Sequence, residues 1–401
     1  MRQIMYPSFS ARPAWAEINL DHIAHNLRQF RQQIGPVTKI MAVVKADGYG
    51  HGAVKVAETA MRSGASSLAV AFVEEAIALR RAGLDAPILL FGYTDPAQFP
   101  ILVHYKLTPT VFGLDTALEY SEFAVDHDTV LPLHLKIDTG MGRIGLLPDE
   151  AVEVIVRISR LPGLKIEGIY THLAAAEEND LTYTREQLML FNRIIDSCTY
   201  KGVTFPLVHA ANSAAAINHP SARYNLVRLG IAMYGCYPAP NLQGKGIDLI
   251  PALTFKSKVV LVKEVPVGSA ISYGCTFRTT KDTLVATVPV GYADGFSRLL
   301  SNKGHVLIRG CRAPVIGIVC MDQLMIDVSH IPGVRLNDEV VIYGRQSGGH
   351  VSIEEAADQV GTINYELLCA LDKRIPRYYF EEGKFSSVYD IIEDRIISIN
   401  S

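Results

Sequence analysis

Residues 39–45 read KIMAVVK, and residues 46–52 read ADGYGHG. The first segment is a short apolar, β-branched run, the length of a buried strand and too short for a helix. The second sets Gly at 48, 50 and 52, where backbone can turn sharply and approach a ligand. A stretch with helical spacing follows at 51–63. The same texture returns seven times, with strand-like runs at 67–71, 87–91, 108–111, 131–137, 165–171, 206–209 and 225–229. Between them, 73–82, 149–160 and 182–201 can each carry a helix with one apolar face. Eight strands alternating with helices over roughly 200 residues predict an α/β chain folded as a closed (β/α)8 barrel of the TIM type. A doubly wound open sheet is the alternative, because periodicity does not show closure.

The texture changes near residue 240, where Pro238, Pro240, Gly244 and Gly246 mark a linker. Short β-type runs follow at 257–265, 284–290, 305–309, 314–319, 324–328 and 339–343, with one plausible helix at 353–360. This predicts a mostly antiparallel β domain after the barrel. The expected division is a barrel over 12–243, a β-rich domain over 244–385 and a tail over 386–401. A chain of 401 residues suits two domains, and 49% hydrophobic residues suffice for two cores. The net charge of −3 gives no reason to expect a nucleic acid or an anionic membrane as partner. No run resembles a signal peptide or a membrane span. Cys198, Cys236, Cys275, Cys311, Cys320 and Cys369 include no CxxC pair and read as reduced, buried thiols of a cytoplasmic protein. No metal site is expected.

Barrel enzymes gather functional side chains at the C-terminal ends of their strands. Lys45 ends the first strand, Arg143 lies beyond the fifth, His172 follows the sixth, Asn212 and Ser213 the seventh, and Arg228, Gly230 and Ile231 end the eighth. The polar residues converge on one rim. A lone Lys after an apolar strand is usually a solvated strand end. Here the Met-Ala-Val-Val before Lys45 favours the neutral amine that Schiff-base formation needs. That fits a class I aldolase or a pyridoxal-phosphate enzyme. Loops after strands seven and eight commonly hold a phosphate, and Ser213 offers a hydroxyl and a helix cap there, although an ordinary cap explains it as well. A lysine facing a separate phosphate cradle points to pyridoxal 5′-phosphate. Arg228, otherwise a rim ion-pair residue, can address the pyridine nitrogen. On strand 131–137, His134, Lys136 and Asp138 alternate with apolar residues and are expected inward. A buried Lys136 has to be paired, with Asp138 for example, or modified.

The segments AVVKADGYGHG, KIDTGMGRIG, THLAAAEE, HAANSAA, LVRLGIAMYG, ISYGCTF, VGYADGFSR, CMDQLMIDV and INYELLC resemble, in order, those of alanine racemases, with the likeness running from about Ala14 to Arg377. The resemblance implies a pyridoxal-phosphate barrel with a C-terminal β domain, working as a head-to-tail homodimer with shared sites. It implies interconversion of L- and D-alanine by two bases, supplying D-alanine for peptidoglycan. By the same resemblance, Lys45 is the Schiff-base lysine and one base, and Tyr273 is the opposite base from the other subunit. Tyr49, Ser213, Gly230, Ile231 and Tyr365 match phosphate positions. Arg228 matches the partner of the pyridine nitrogen, with His172 beside it. Arg143 and the Met321 N–H, with Asp322 adjacent, match substrate-binding positions. Lys136 matches a lysine carbamylated in many members.

Two positions depart from the family pattern: Ile318 stands where Arg is frequent, and Glu177 where Asp is frequent. Both belong to the channel entrance in relatives, so the departures bear on gating and on breadth toward serine. Tyr365 is expected to crowd the pocket and favour a methyl side chain. A fold-type III decarboxylase shares the architecture but carries a glycine-rich phosphate loop absent here. A barrel-only pyridoxal-phosphate carrier lacks residues like 250–380. A cofactor-free aldolase would be colourless. A lysine amine and a tyrosine hydroxyl each have to give up a proton well below about 10 to act near neutrality. A charged His172–Arg228 pair is the expected source of that help on the tyrosine side.

Overall fold

The computed structural model describes residues 12–390 and 395–398. These form two compact units. One contains His22–Gly48 and Ala53–Ile250; the other gathers the described residues up to Asp21, Tyr49–Gly52, and those from Pro251 onward.

The chain enters through β1 (Ala14–Asn19), then supplies β2 (Lys39–Val43), β3 (Ser67–Val70), β4 (Ile88–Leu90), β5 (Thr110–Val111), β6 (Leu131–Lys136), β7 (Leu164–Tyr170), β8 (Leu207–His209) and β9 (Leu226–Leu229). The last eight are the strands expected from the sequence. They pair in parallel as β4-β3-β2-β9 and β5-β6-β7-β8. Two seams join these halves. Leu89 and Thr108 form a parallel bridge, and the Arg228 N–H donates to the Ala211 carbonyl at 3.0 Å. The sheet is therefore a closed barrel and not an open one. Helices Ala53–Arg62, Val73–Arg81, Pro148–Ile158 and Thr182–Tyr200 occupy the expected stretches. A helix at Leu20–Ile34 buries Ile23, Leu27 and Phe30 completely, at helical spacing. Truncating such a buried residue to Ala removes about 2–5 kcal/mol of stability. Strands covered on both faces need continuous apolar sequence, which is why Ile40–Val44 is buried throughout.

The second unit is built on a sheet running Cys311–Pro314, His305–Ile308, Glu339–Gln346, Leu253–Lys258, β1, Arg377–Glu381, Lys384–Asp390 and Arg395–Ser398. Its pairs are antiparallel except β1 with Arg377–Glu381. A second sheet joins Leu261–Val265, Thr283–Val288 and Leu324–Asp327. Among the described residues no helix is long and apolar enough to cross a membrane.

Several expectations shift. β1 lies in the second unit's sheet, so residues 14–19 leave the stretch assigned to the barrel, and the sheet continues through Lys384–Asp390 and Arg395–Ser398 where a tail was expected. Strand Ala14–Asn19 finds its partners more than 200 residues away, at Leu253–Lys258 and Arg377–Glu381, and nothing local announces them. Of the run 314–319, Pro314 ends the strand Cys311–Pro314, Val315 forms an isolated bridge with Ile326, and the rest is loop. Gly317 there has φ +80, and a Cβ would lie 2.7 Å from the Ile271 carbonyl oxygen. Only Cys198 and Cys236 are buried; Cys275, Cys311 and Cys369 are exposed and Cys320 is half-buried.

Candidate active site

Lys45 follows the buried Val44 at the end of β2, where the backbone turns left-handed at Ala46 (φ 52), Asp47 (φ 52) and Gly48 (φ 61). Such a conformation costs a non-glycine residue roughly 1–2 kcal/mol, so the surroundings have to impose it. Two carboxylates do so. Glu75 accepts from the Ala46 N–H at 2.6 Å and from the Ala71 N–H at 2.7 Å. Asp47 accepts from the Ala53 N–H at 2.9 Å. Lys45 is thereby placed by a braced turn and not by a loose strand end.

A hydrogen-bonded chain links β9, β8 and β6 inside the barrel. Arg228, on β9 and almost wholly buried, donates from Nη1 to His209 Nδ1 at 2.8 Å and to the His209 carbonyl at 3.1 Å. Its Nη2 donates to the carbonyls of Thr171 and Ala210, both at 2.9 Å, and to His172 Nδ1 at 3.3 Å. Because guanidinium nitrogens only donate, both Nδ1 atoms accept. His209 Nε2 then carries its proton and donates to His134 Nδ1 at 2.9 Å. Tyr170 stacks on His209 with 4.7 Å between ring centroids and 5° between planes. Burial, reinforced by Arg228, holds His134 down to about 4 and His172 and His209 well below their ordinary value. The expected charged His172–Arg228 pair is thus a charged Arg228 beside a neutral His172, whose remaining Nε2–H is a donor. Burial pulls Arg228 itself only to about 10, so it stays protonated at neutral pH. Its Nε has no partner among the described residues.

Four cations share this rim. Burial lowers His172 first, and the charges of Arg228, Lys136, Arg143 and Lys45 lower it further. Lys136 is 2% exposed, and its Nζ has no hydrogen-bond partner among the described residues. It lies 5.4 Å from the Tyr170 ring centroid. Burial, then Arg228 and Arg143, bring it down to about 8. The Lys136–Asp138 hydrogen bond allowed by the sequence does not form. Asp138 instead accepts the N–H groups of Gly140, Met141, Gly142 and Arg143 at 2.8–3.1 Å. Burial opposes its ionisation, but these four donors hold its carboxyl below the usual range. A site with this excess of positive charge suits an anionic ligand.

The loops after β8 and β9 meet at Ser213. Its Oγ accepts from the Gly230 N–H at 3.0 Å and more weakly from the Ala232 N–H at 3.4 Å, which leaves its own O–H to donate. The Ile231 N–H has no partner among the described residues. The cap of the short helix Ser213–Asn218 is Asn212, whose side chain accepts from the Ala215 N–H at 3.0 Å, and not Ser213 as expected. The Asx geometry simply begins one residue earlier.

The second unit holds the other expected residues. Tyr49 and Tyr365 lie with ring centroids 6.1 Å apart. Gly50 and Gly52 have positive φ, and a Cβ on either would collide with the Leu368 carbonyl or the Tyr379 hydroxyl. The buried Arg377 donates to the Gly50 carbonyl at 3.2 Å, which fixes this segment. Tyr273 stands 72% exposed on a turn opened by Ser272 at φ 65. The Ser272 hydroxyl donates to the Ile318 carbonyl at 2.5 Å, tying this turn to the loop that carries Met321 and Asp322. Met321 is 52% exposed; its carbonyl accepts from the Ala293 N–H at 3.0 Å, while its own N–H has no partner among the described residues.

Residues 18–238 match the model of the alanine racemase N-terminal domain, and 252–379 that of the C-terminal domain. The chain belongs to the alanine racemase family. It is 49% identical to the alanine racemase of Desulforamulus reducens over 368 residues, covering 92% of this chain and 99% of that protein. It is similar in structure to the alanine racemase of Clostridium difficile 630 (TM-score 0.90, 39% identity, 94% of this chain and 98% of that one). It is likewise similar to that of Bacillus anthracis with bound L-Ala-P (TM-score 0.91, 37% identity, 97% and 100%). The activity is alanine racemisation, and the family architecture is the barrel and β domain described above.

Within this racemase frame, sequence reading overlooked several residues. Glu75 braces the Lys45 turn, and no local pattern sets it apart from other helix-start acids. His209 ends β8, where the strand-end argument that found His172 could have found it. Gln187, buried on helix Thr182–Tyr200, donates to the His172 carbonyl at 3.2 Å and accepts from the Ala174 N–H at 2.9 Å. The departure at Glu177 lies on this same loop, its carbonyl accepting from Asn241 at 2.8 Å.

Proposed function

We propose that this alanine racemase works with pyridoxal 5′-phosphate held on the barrel, and that Lys45 and Tyr273 exchange the substrate α-proton on opposite faces. The observation that carries the reading is Arg228. Both terminal nitrogens are committed to protein acceptors, and Nε alone remains to donate. When bound, the cofactor supplies an aldehyde that a lysine amine engages and a ring that withdraws electrons from the substrate Cα. Arg228 offers the ring nitrogen a hydrogen bond without a transferable proton. That limits electron withdrawal, suits brief carbanion stabilisation and disfavours transamination.

The remaining residues divide the work. Ser213 O–H, Ile231 N–H, Tyr49 and Tyr365 hold the phosphate. Gly230 gives its N–H to Ser213 and acts by permitting close approach, and Asn212 caps the helix behind. Arg143 and the Met321 N–H, with Asp322 adjacent, receive the substrate carboxylate. Lys136, buried and without an acceptor among the described residues, takes up CO2 at Nζ with loss of a proton, and the resulting carbamate pairs with Arg143. His172, neutral and left with an Nε2–H donor, serves the Tyr273 side of the reaction. The exposure of Tyr273 and Met321 supports their serving a second protomer's barrel in a homodimer. D-Alanine made in the cytoplasm then serves peptidoglycan.

Borohydride reduction of the holoenzyme followed by peptide mapping tests the central assignment. The pyridoxyl group is expected on Lys45, and finding it on another lysine overturns the reading.

A further inference from the structure

Asp294 is wholly buried in the second unit, and its Oδ2 accepts from the Gly291 N–H at 2.9 Å. Its Oδ1 receives two guanidinium groups, Arg12 at 2.5 Å and Arg374 at 2.7 Å. Arg374 reaches onward, and its Nη2 donates to Asp322 Oδ1 at 2.7 Å. Two arginines and two aspartates thus form a neutral chain that runs from the buried interior to the surface. The chain ends on the loop that carries Met321. That loop is also locked to the Asp294 turn through the backbone. The Tyr292 N–H donates to the Cys320 carbonyl at 3.1 Å, and a Cβ on Gly291 would sit 2.2 Å from the same oxygen.

The Met321 N–H, oriented by this loop, adjoins Asp322. An unpaired carboxylate beside an N–H that has to receive another carboxylate would repel it, by an amount that matters where water is partly excluded. We propose that Arg374 is a positioning residue for the substrate carboxylate. It cancels the charge of Asp322 and ties residues 320–322 to the buried Asp294, so that the Met321 N–H meets its anion without competition. This rests on the reading that the Met321 loop receives the carboxylate. Arg12 keeps Asp294 paired when Arg374 is changed, so the variant retains a partner for the buried charge.

The test uses the holoenzyme and four variants: Arg374→Gln, Arg374→Lys, Asp322→Lys and the double variant Arg374→Gln/Asp322→Asn. Two quantities are read for each. One is KM and kcat for alanine; the other is the dissociation constant of propionate, which carries the carboxylate but no amine, followed by its effect on holoenzyme absorbance. Arg374→Gln is expected to raise KM and the propionate constant together by about tenfold, with kcat changed far less. Arg374→Lys should raise them less, and adding Asp322→Asn to Arg374→Gln should restore most of the loss. A loss that Asp322→Asn does not restore overturns the charge-cancelling role. Unchanged constants in Arg374→Gln, with a clear change in Asp322→Lys, overturn the role of Arg374 while leaving the carboxylate loop standing. Unchanged propionate binding in every variant overturns both.

Discussion

The Nη1 of Arg228 donates to Nδ1 of His209 at 2.8 Å, and this bond sets the protonation of the histidines below the rim. With Nδ1 accepting, His209 has to donate from Nε2 to His134. Arg228 is thus held by a neutral partner and keeps its full charge, which a carboxylate partner would have neutralised. Replacing His209 by Leu removes the Nδ1 acceptor and leaves Nη1 only the main-chain carbonyl at that position, at 3.1 Å. A hydrogen bond to a charged group is worth about 1.5–3 kcal/mol, so kcat should fall about 10- to 100-fold if Arg228 loses its aim. His209→Gln, which retains an acceptor, should fall less. Steady-state rates from both alanine enantiomers check this, and equal rates for wild type and the Leu variant would refute the role.

Lys136 gives a pH prediction. Its folded value, brought down to about 8, lies below the unfolded reference near 10.4. The unfolded chain therefore binds more protons between these limits. This one group destabilises the bare-lysine enzyme below about 8, and the penalty is relieved as pH rises through the window. In carbonate-free buffer, the stability of wild type relative to Lys136→Met should rise by about 2–3 kcal/mol from pH 8 to pH 10.5. Adding bicarbonate near pH 8 should stabilise wild type and not the variant. Parallel curves under both conditions would contradict this account of Lys136.

The eight barrel strands were legible because a strand covered on both faces has to be continuously apolar, and the rim residues because they interrupt those runs at their C-terminal ends. β1 was not legible, since its partners lie at Leu253–Lys258 and Arg377–Glu381. The Lys45 turn showed its glycines but not its brace, because Glu75 comes from another βα unit. Lys136 was read as inward-facing, yet whether Asp138 would pair with it depended on the loop. Four N–H groups of Gly140–Arg143 surround that carboxylate and leave the lysine without it. Charge relations across elements, such as Arg374 with Asp294 and Asp322, leave no trace in local sequence.

A shared site predicts complementation. Lys45→Ala and Tyr273→Phe homodimers should each be inactive. After subunit exchange, a heterodimer contains one site with both changes and one with neither. Partial activity should return, up to about one intact site per heterodimer. Continued inactivity with exchange demonstrated by mass-tagged subunits would place Lys45 and Tyr273 in the same protomer's site.

The central claim is that two residues serve opposite faces of one carbon, Lys45 taking the proton of D-alanine and Tyr273 that of L-alanine. Tyr273→Phe keeps the ring and removes only the group that exchanges a proton. Net racemisation has to fall equally in both directions, because the equilibrium constant between enantiomers is fixed at unity by symmetry. The half-reactions need not fall together. The decisive measurement is NMR-monitored washout of the α-proton into deuterium oxide from each enantiomer with this variant. Washout from D-alanine, which needs only the Lys45 face, is predicted to persist. Washout from L-alanine should drop by about 10²–10⁴. Equal loss from both enantiomers would contradict the two-face account, and selective loss from D-alanine would reverse its assignment.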